Sequence, residues 1–151
     1  MLRPLSVLVP LLLVAQFLVG MAVNLFVMIP KHHPGARPPE YFSGAAQSVT
    51  WALAGSGQPW LVVHVVLGVL VGVLAILLLV AALRSGRRRY AVASAFGMAG
   101  VIAAGFNGAS FLNYDEDLSS MLMSVGFALA LAAYVIGAGG GAGAAGPVRE
   151  R

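Results

Sequence analysis

The chain has 151 residues, of which 60% are hydrophobic and 9% are charged, and its formal net charge is +4. This is the length of one domain, but the composition excludes an ordinary water-soluble globule, in which roughly a quarter of the residues are charged. The absence of cysteine excludes disulfides, thiol catalysis and thiolate-bound metal or iron–sulfur centres. Nucleic acid is not an expected partner, because no basic face interleaved with aromatic residues accompanies the positive charge.

Four apolar segments are long enough to cross a membrane. A helix needs about 20 mostly apolar residues to cross a hydrocarbon core of roughly 30 Å. No segment has a charged residue in its interior, and each is apolar all round, unlike the amphipathic helices of soluble bundles. The sequence therefore predicts an all-α membrane protein, a bundle of four transmembrane helices. The predicted spans are Leu5 to Ile29, Trp60 to Leu83, Tyr90 to Leu112 and Leu118 to Gly137.

The chain divides into one transmembrane domain, residues 1–137, and a glycine- and alanine-rich tail, residues 138–151. The tail has the composition of a flexible extension. The first span follows Arg3 and resembles a secretory signal, but its apolar stretch is longer than a normal signal core. We therefore expect this span to be retained as a membrane helix.

The connection between the first two spans, residues 30–59, is the longest and has its own pattern. It opens with the turn-rich stretch HHPGARPP, after which apolar residues recur at helical spacing as far as Gly55. We expect a short helix, Glu40 to Ala54, lying on the outer membrane surface, with a plain loop as the alternative. The aromatic residues that would anchor this helix at the interface are Tyr41, Phe42 and Trp51.

The basic residues predict the orientation of the bundle. Loops on the cytoplasmic side carry an excess of lysine and arginine. One side of the predicted bundle carries only Lys31 and Arg37, together with Glu40 and the acidic turn Asp115 to Asp117. Both termini and the second connection are therefore predicted to be cytoplasmic. The basic residues on that side are Arg3, Arg84, Arg87, Arg88, Arg89, Arg149 and Arg151.

Polar side chains in the spans fall at a common depth. With a rise of about 1.5 Å per residue, Asn24, His64 and Asn107 lie about 9 to 10 Å from the midpoints of their spans, on the outer side. Ser110 and Ser124 lie within one turn of that level. These residues share helix faces with small residues, which mark close helix contacts in membranes. The sequence predicts an outer polar pocket that either bonds the helices together or binds a small ligand or partner helix.

His64 also supports an alternative function. Ionisable residues within spans are functional candidates, and imidazole ligates haem iron and metal ions. His32 and His33 follow the first span near the same boundary. The alternative is an electron carrier with haem b held between His64 and His33 or His32. A further alternative is a zinc or copper site that combines the three histidines with Asp115, Glu116 and Asp117.

The remaining motifs favour a non-catalytic role. The sequence has no nucleophile elbow, no HExxH, no paired carboxylates and no phosphate-binding glycine loop after a strand. A transporter needs polar groups through the whole membrane, but the inner half offers little beyond Gln16 and Ser94. The leading prediction is an accessory, interaction or small-ligand-binding membrane subunit. Its expected partners are lipid and either another membrane protein or a second copy of the chain.

Three stretches carry a family resemblance. NLFVMIPKHHPGARPPEYFSGAAQSVTWAL, His64 and GFNGASFLNYDED resemble segments of small four-helix membrane proteins of bacteria, chiefly of high-GC Gram-positive lineages. The resemblance covers roughly residues 20–136. It implies a location in the bacterial inner membrane and supplies no activity.

Reporter fusions test the predicted orientation. A reporter that is active only outside the cytoplasm is expected to be active when fused after Asp115 and inactive after Arg87, because basic loops stay in the cytoplasm. A reporter that works only inside the cytoplasm is the control and should show the reverse pattern. Arg87 outside, or Asp115 inside, would overturn the orientation.

Overall fold

The structure, a computed structural model, describes residues 2–139. Within these residues the chain is all helical, and the predicted fold class is confirmed. Four of the helices are long and apolar enough to cross a membrane. The predicted tail lies outside the described residues, except for positions 138 and 139, which end the last helix. The helices are α1 (Leu2–Phe26), α2 (Tyr41–Ala54), α3 (Pro59–Arg84), α4 (Arg88–Tyr114) and α5 (Asp117–Gly139).

The largest shift from the predicted spans is in α1, which begins at Leu2 and ends at Phe26 instead of running from Leu5 to Ile29. Val27 N still donates to Val23 O. The helix then stops, because a proline at position 30 keeps the residue before it out of the helical region.

The four long helices form a ring in which each packs beside the next. α3 and α4 are joined by residues 85–87, and α4 and α5 by residues 115–116, so both pairs are antiparallel hairpins. Gly86 has φ +68° and Asp115 has φ 55°, the left-handed conformations that let these short turns close. α1 completes the ring by packing against α3 and α5, while α2 packs on α3 and α4.

The two ends of the bundle differ in their residues. At one end α1 and α4 finish, α3 and α5 begin, and α2 is packed; we call this the cap end. At the other, which we call the arginine end, lie Arg3, Arg84 and the three arginines at 87–89. Described acidic residues occur only at the cap end, as Glu40 and residues 115–117.

The bundle interior is small, as expected for helices surrounded by lipid. Only 17–22% of each apolar segment is buried. The main core joins Val9 and Leu13 of α1 to Leu78 of α3 and to Ala130 and Tyr134 of α5. Large apolar side chains cover the outside, where hydrocarbon chains rather than water surround them. Close packing between helices therefore contributes more to association than burial from water does.

α4 and α5 make the closest contact in the bundle, through their backbones. A methyl group on Gly100 would lie 2.6 Å from both Ala130 N and Gly126 O, and one on Gly126 would lie 2.7 Å from Ala104 N. Backbone atoms cannot move aside as a flexible side chain can. Both positions therefore require glycine for the helices to approach this closely.

Replacing Gly126 by alanine is expected to destabilise the bundle by about 1–3 kcal/mol, the usual cost of overpacking a filled interface. Gly105→Ala is the matched control, because nothing lies within 4 Å of a methyl group there. In the control, alanine should be neutral or stabilise the helix by up to about 1 kcal/mol. Thermal unfolding of both variants in detergent measures the difference. Equal unfolding temperatures would contradict the close backbone contact.

Candidate functional site

The long connection between α1 and α3 forms an ordered cap, which we define as residues 27–54. The predicted short helix is confirmed as α2, with its start at Tyr41 because Glu40 is extended and acts as the N-cap. The Glu40 carboxylate accepts hydrogen bonds from Ser43 N (2.6 Å) and Phe42 N (2.9 Å). These two bonds, the one from Ser43 first, lower the pKa of Glu40 below its usual value.

α2 packs on the bundle through small residues. Gly44, Ser48 and Ala52, spaced four apart, form its buried face. The entry loop lies directly against this face. Gly35, at φ +91°, leaves no space for a side chain beside Ser48, and Pro38 covers Gly44 in the same way. The turn-rich HHPGARPP stretch is therefore shaped to fit under α2.

Hydrogen bonds fasten the cap to the end of α4. Ser48 Oγ donates to Asn113 Oδ1 (2.8 Å), and Arg37 N donates to Asn113 O (2.7 Å). His33 Nε2 lies 3.0 Å from Leu112 O. The last four carbonyls of a helix have no partner within the helix, so the cap supplies two of the donors that α4 lacks. We call these bonds of His33, Arg37 and Ser48 to Leu112 and Asn113 the latch.

A second contact ties the start of α2 to α4 two turns before its end. Tyr41 Oη donates to Phe106 O at 2.8 Å and lies 3.1 Å from Ser110 Oγ. The Tyr41 and Phe106 rings also stack, with centroids 4.6 Å apart. The polar side chain of Ser110 within an apolar span thus meets a tyrosine of the cap.

His64 meets a residue outside the predicted pocket. Gln16 Nε2 donates to His64 O (3.1 Å) and lies 3.3 Å from His64 Nε2. The carbonyl fixes the amide orientation, which directs the second amide hydrogen toward His64 Nε2. The two helices fit reciprocally. A methyl group on Gly20 would lie 2.9 Å from His64 Cε1, and one on Gly68 would lie 3.1 Å from Gln16 Nε2.

The five side chains of the predicted pocket do not bond to one another in the part of the chain that the structure describes. Asn24 is exposed, Asn107 Nδ2 donates to Ala103 O, and Ser124 Oγ donates to the carbonyl one turn earlier in its own helix. Within residues 2–139 no hydrogen bond joins any two of Asn24, His64, Asn107, Ser110 and Ser124. The predicted common depth of Asn24, His64 and Asn107 requires that the midpoints of the spans lie at one level. In the structure α1 is staggered so that Gln16 and Gly20 lie beside His64.

Sequence reasoning missed the residues that hold the cap. Asn113 is 2% exposed, and Ser48 is fully buried. Two signals for them were present: a small-residue face on α2 and a short polar side chain in the last turn of α4. Neither signal identifies its partner, because the two residues lie far apart in the chain.

The histidines do not fit the haem interpretation. Both ring nitrogens of His33 lie beside backbone carbonyls, those of Pro34 (2.9 Å) and Leu112 (3.0 Å), and its ring stacks on Trp51. His64 Nδ1 has no partner among the described residues, but it is packed against Gly20, where a macrocycle has no room. His32 therefore has no counterpart placed for bis-histidine ligation. In residues 2–139 no group of three or more histidines and acids is arranged to hold a metal ion.

These features define the class of the protein. Four long apolar helices, packed as a bundle with a short helix at one end, are those of a multi-pass integral membrane protein. Comparison of the chain with protein-family models, curated proteins and solved structures finds no match in any of the three. Its function is therefore argued from its own geometry.

A double-mutant cycle tests the contact between Gln16 and His64. We expect Gln16→Leu and His64→Leu to be non-additive, with a coupling of at least about 0.6 kcal/mol, the average measured for hydrogen bonds between membrane helices, and at most about 1.7 kcal/mol. Unfolding of the single and double variants in mixed micelles gives this energy. Asn107→Leu combined with His64→Leu is the control and should be additive within about 0.5 kcal/mol. Coupling to Asn107 instead of Gln16 would restore the pocket predicted from the sequence.

Proposed function

We propose that the chain is a non-catalytic membrane subunit whose cap is a rigid platform for a partner protein. The length and order of the cap connection support this proposal most directly. Residues 85–87 and 115–116 suffice to join the other spans, whereas residues 27–58 join α1 to α3. The additional length contains an ordered helix, α2, and binding residues commonly lie on segments that a rigid scaffold positions.

The latch favours a platform over a passive linker. A simple connection between two membrane helices needs no buried polar bond, yet Ser48 and Asn113 are both removed from solvent to make one. Buried polar groups that are fully paired favour one arrangement of the chain over others. Asn113 Oδ1 is paired in this way, whereas Asn113 Nδ2 is buried without a hydrogen-bond partner in residues 2–139. The contact thus holds α2 in a defined position on α4.

An open groove on the cap offers the binding surface. It is shallow and wide open, with a volume of about 460 Å³. Its largest side chain, Trp51, is held in place by the His33 ring, with centroids 4.2 Å apart. Gln47 and Thr50 add an amide and a hydroxyl to an otherwise apolar lining. An aromatic residue held rigidly beside a few polar groups is the composition found at protein–protein contacts, so the occupant we propose is an apolar segment of another protein.

We further propose that the cap end faces outward from a bacterial inner membrane, with both termini in the cytoplasm. The uneven charge of the two ends supports this orientation, because the arginine end has the excess that cytoplasmic loops carry. The resemblance to small bacterial membrane proteins supports the location. In this orientation the partner is an exported protein or the outer part of another membrane protein.

Site-specific photocrosslinking tests the platform in the native membrane. With a photoreactive phenylalanine analogue in place of Gln47, illumination is expected to give one discrete adduct. The adduct should be weakened when Asn113→Leu removes the one bond of the latch that joins two side chains, since that change loosens α2 but, at about 0.5–1.5 kcal/mol per hydrogen bond, leaves the bundle folded. The matched control places the analogue at Leu129, which is 60% exposed on the lipid side of α5.

Three results would contradict the platform. The first is no adduct at Gln47. The second is an adduct at Gln47 whose yield Asn113→Leu leaves unchanged. The third is the same adduct at Leu129. The amount of each variant in the membrane, with its unfolding temperature, separates loss of binding from loss of protein.

A further inference from the structure

All four spans line a small cavity at the arginine end of the bundle. It encloses about 10 Å³, and its lining includes Ser6 of α1, Leu78 of α3, Ser94 of α4 and Tyr134 of α5. Three of these four residues carry hydroxyl groups, and the three come from three different helices. The cavity lies at the opposite end from the cap, so it plays no part in the proposed platform.

Ser6, Ser94 and Tyr134 are almost fully buried, whereas Tyr90, the fourth hydroxyl-bearing residue of the lining, is half-buried. Tyr134 is 2% exposed, Ser94 3% and Ser6 9%. Ser6 Oγ donates to Arg3 O (2.9 Å), so its oxygen remains available as an acceptor. Tyr134 Oη has no hydrogen-bond partner in residues 2–139. Buried hydroxyl groups nearly always bond to protein or to ordered water, because leaving them unpaired is costly.

The Tyr134 ring is packed against the backbone of α4. It lies directly over Gly97, where even a methyl group would overlap the ring carbons. Tyr134 is also one of the residues that line the cavity. Ser94 lies one turn before Gly97 on the same helix and also faces the cavity.

We propose that this cavity binds one ordered water molecule that bridges the buried hydroxyls of Tyr134, Ser94 and Ser6. A buried water needs about 10–15 Å³ and two to four polar partners, and the cavity supplies both for a single molecule. The volume excludes a larger ligand. Tyr134 donates to this water, while the two serines provide further oxygen atoms. The water thereby joins α1, α4 and α5 at the arginine end.

A high-resolution structure of the full chain in lipid tests the site directly. The expected result is a density peak about 2.5–3.0 Å from Tyr134 Oη, the normal range for hydroxyl hydrogen bonds, with Ser94 Oγ as a second partner. The peak should be lost in Tyr134→Phe. No peak, or a direct bond between Tyr134 and Ser94, would overturn the proposal. A peak that depends on the sodium or potassium salt used would identify a cation and overturn it as well.

Thermal unfolding provides a second test. Tyr134→Phe and Ser94→Ala each remove one oxygen and leave the packing intact. If one water joins the two residues, Ser94→Ala lowers the unfolding temperature of the native chain and causes little further loss in Tyr134→Phe. The same loss in both backgrounds would show that they act independently and would count against the bridge. Ser124→Ala is the control, since Ser124 is exposed and bonds within its own helix; its effect should be the same in both backgrounds.

Discussion

The carbonyl groups at the end of α4 are buried under the cap, so their hydrogen-bond donors must come from the cap itself. The cap provides them through a histidine ring and a backbone N–H at the helix end, and Ser48 binds the adjacent Asn113 side chain. This requirement accounts for the position of α2, for the small residues on its buried face and for the tight turns of the entry loop. The groove on the cap exists because α2 is held in this place.

The bundle beneath the cap is held together in two ways. α4 and α5 touch backbone to backbone, because Gly100 and Gly126 lack side chains. α1 and α3 instead each place a polar side chain against a glycine of the other helix. Gln16 of α1 packs on Gly68, His64 of α3 packs on Gly20, and the two side chains contact each other. Glycine has different roles at the two contacts. In the first it allows close approach, and in the second it makes room for a polar group that bonds across the interface.

The sequence was sufficient for the spans, α2 and the class of protein, because hydrophobic length and helical spacing are local properties. The contacts of Asn24 and His64 were not predictable in the same way. Connections of two or three residues fix how far α3, α4 and α5 slide past one another. α1 is joined to α3 only through the long cap connection. The position of α1 along the bundle axis therefore depends on the fit of Gln16 and Gly20 against His64. Asn113 and Ser48 were missed because no periodic pattern links residues 65 positions apart.

That separation also orders events during synthesis. α2 leaves the ribosome well before α4, and at about 5–20 residues per second the 65 positions between Ser48 and Asn113 take roughly 3 to 13 seconds to make. Throughout this interval α2 lacks the contacts that α4 provides, although the entry loop and α3 are made earlier. The groove takes its final shape only after α4 has crossed the membrane and presented its last turn. A chain with an incompletely inserted bundle therefore lacks the latch, and binding to the proposed platform would follow complete insertion.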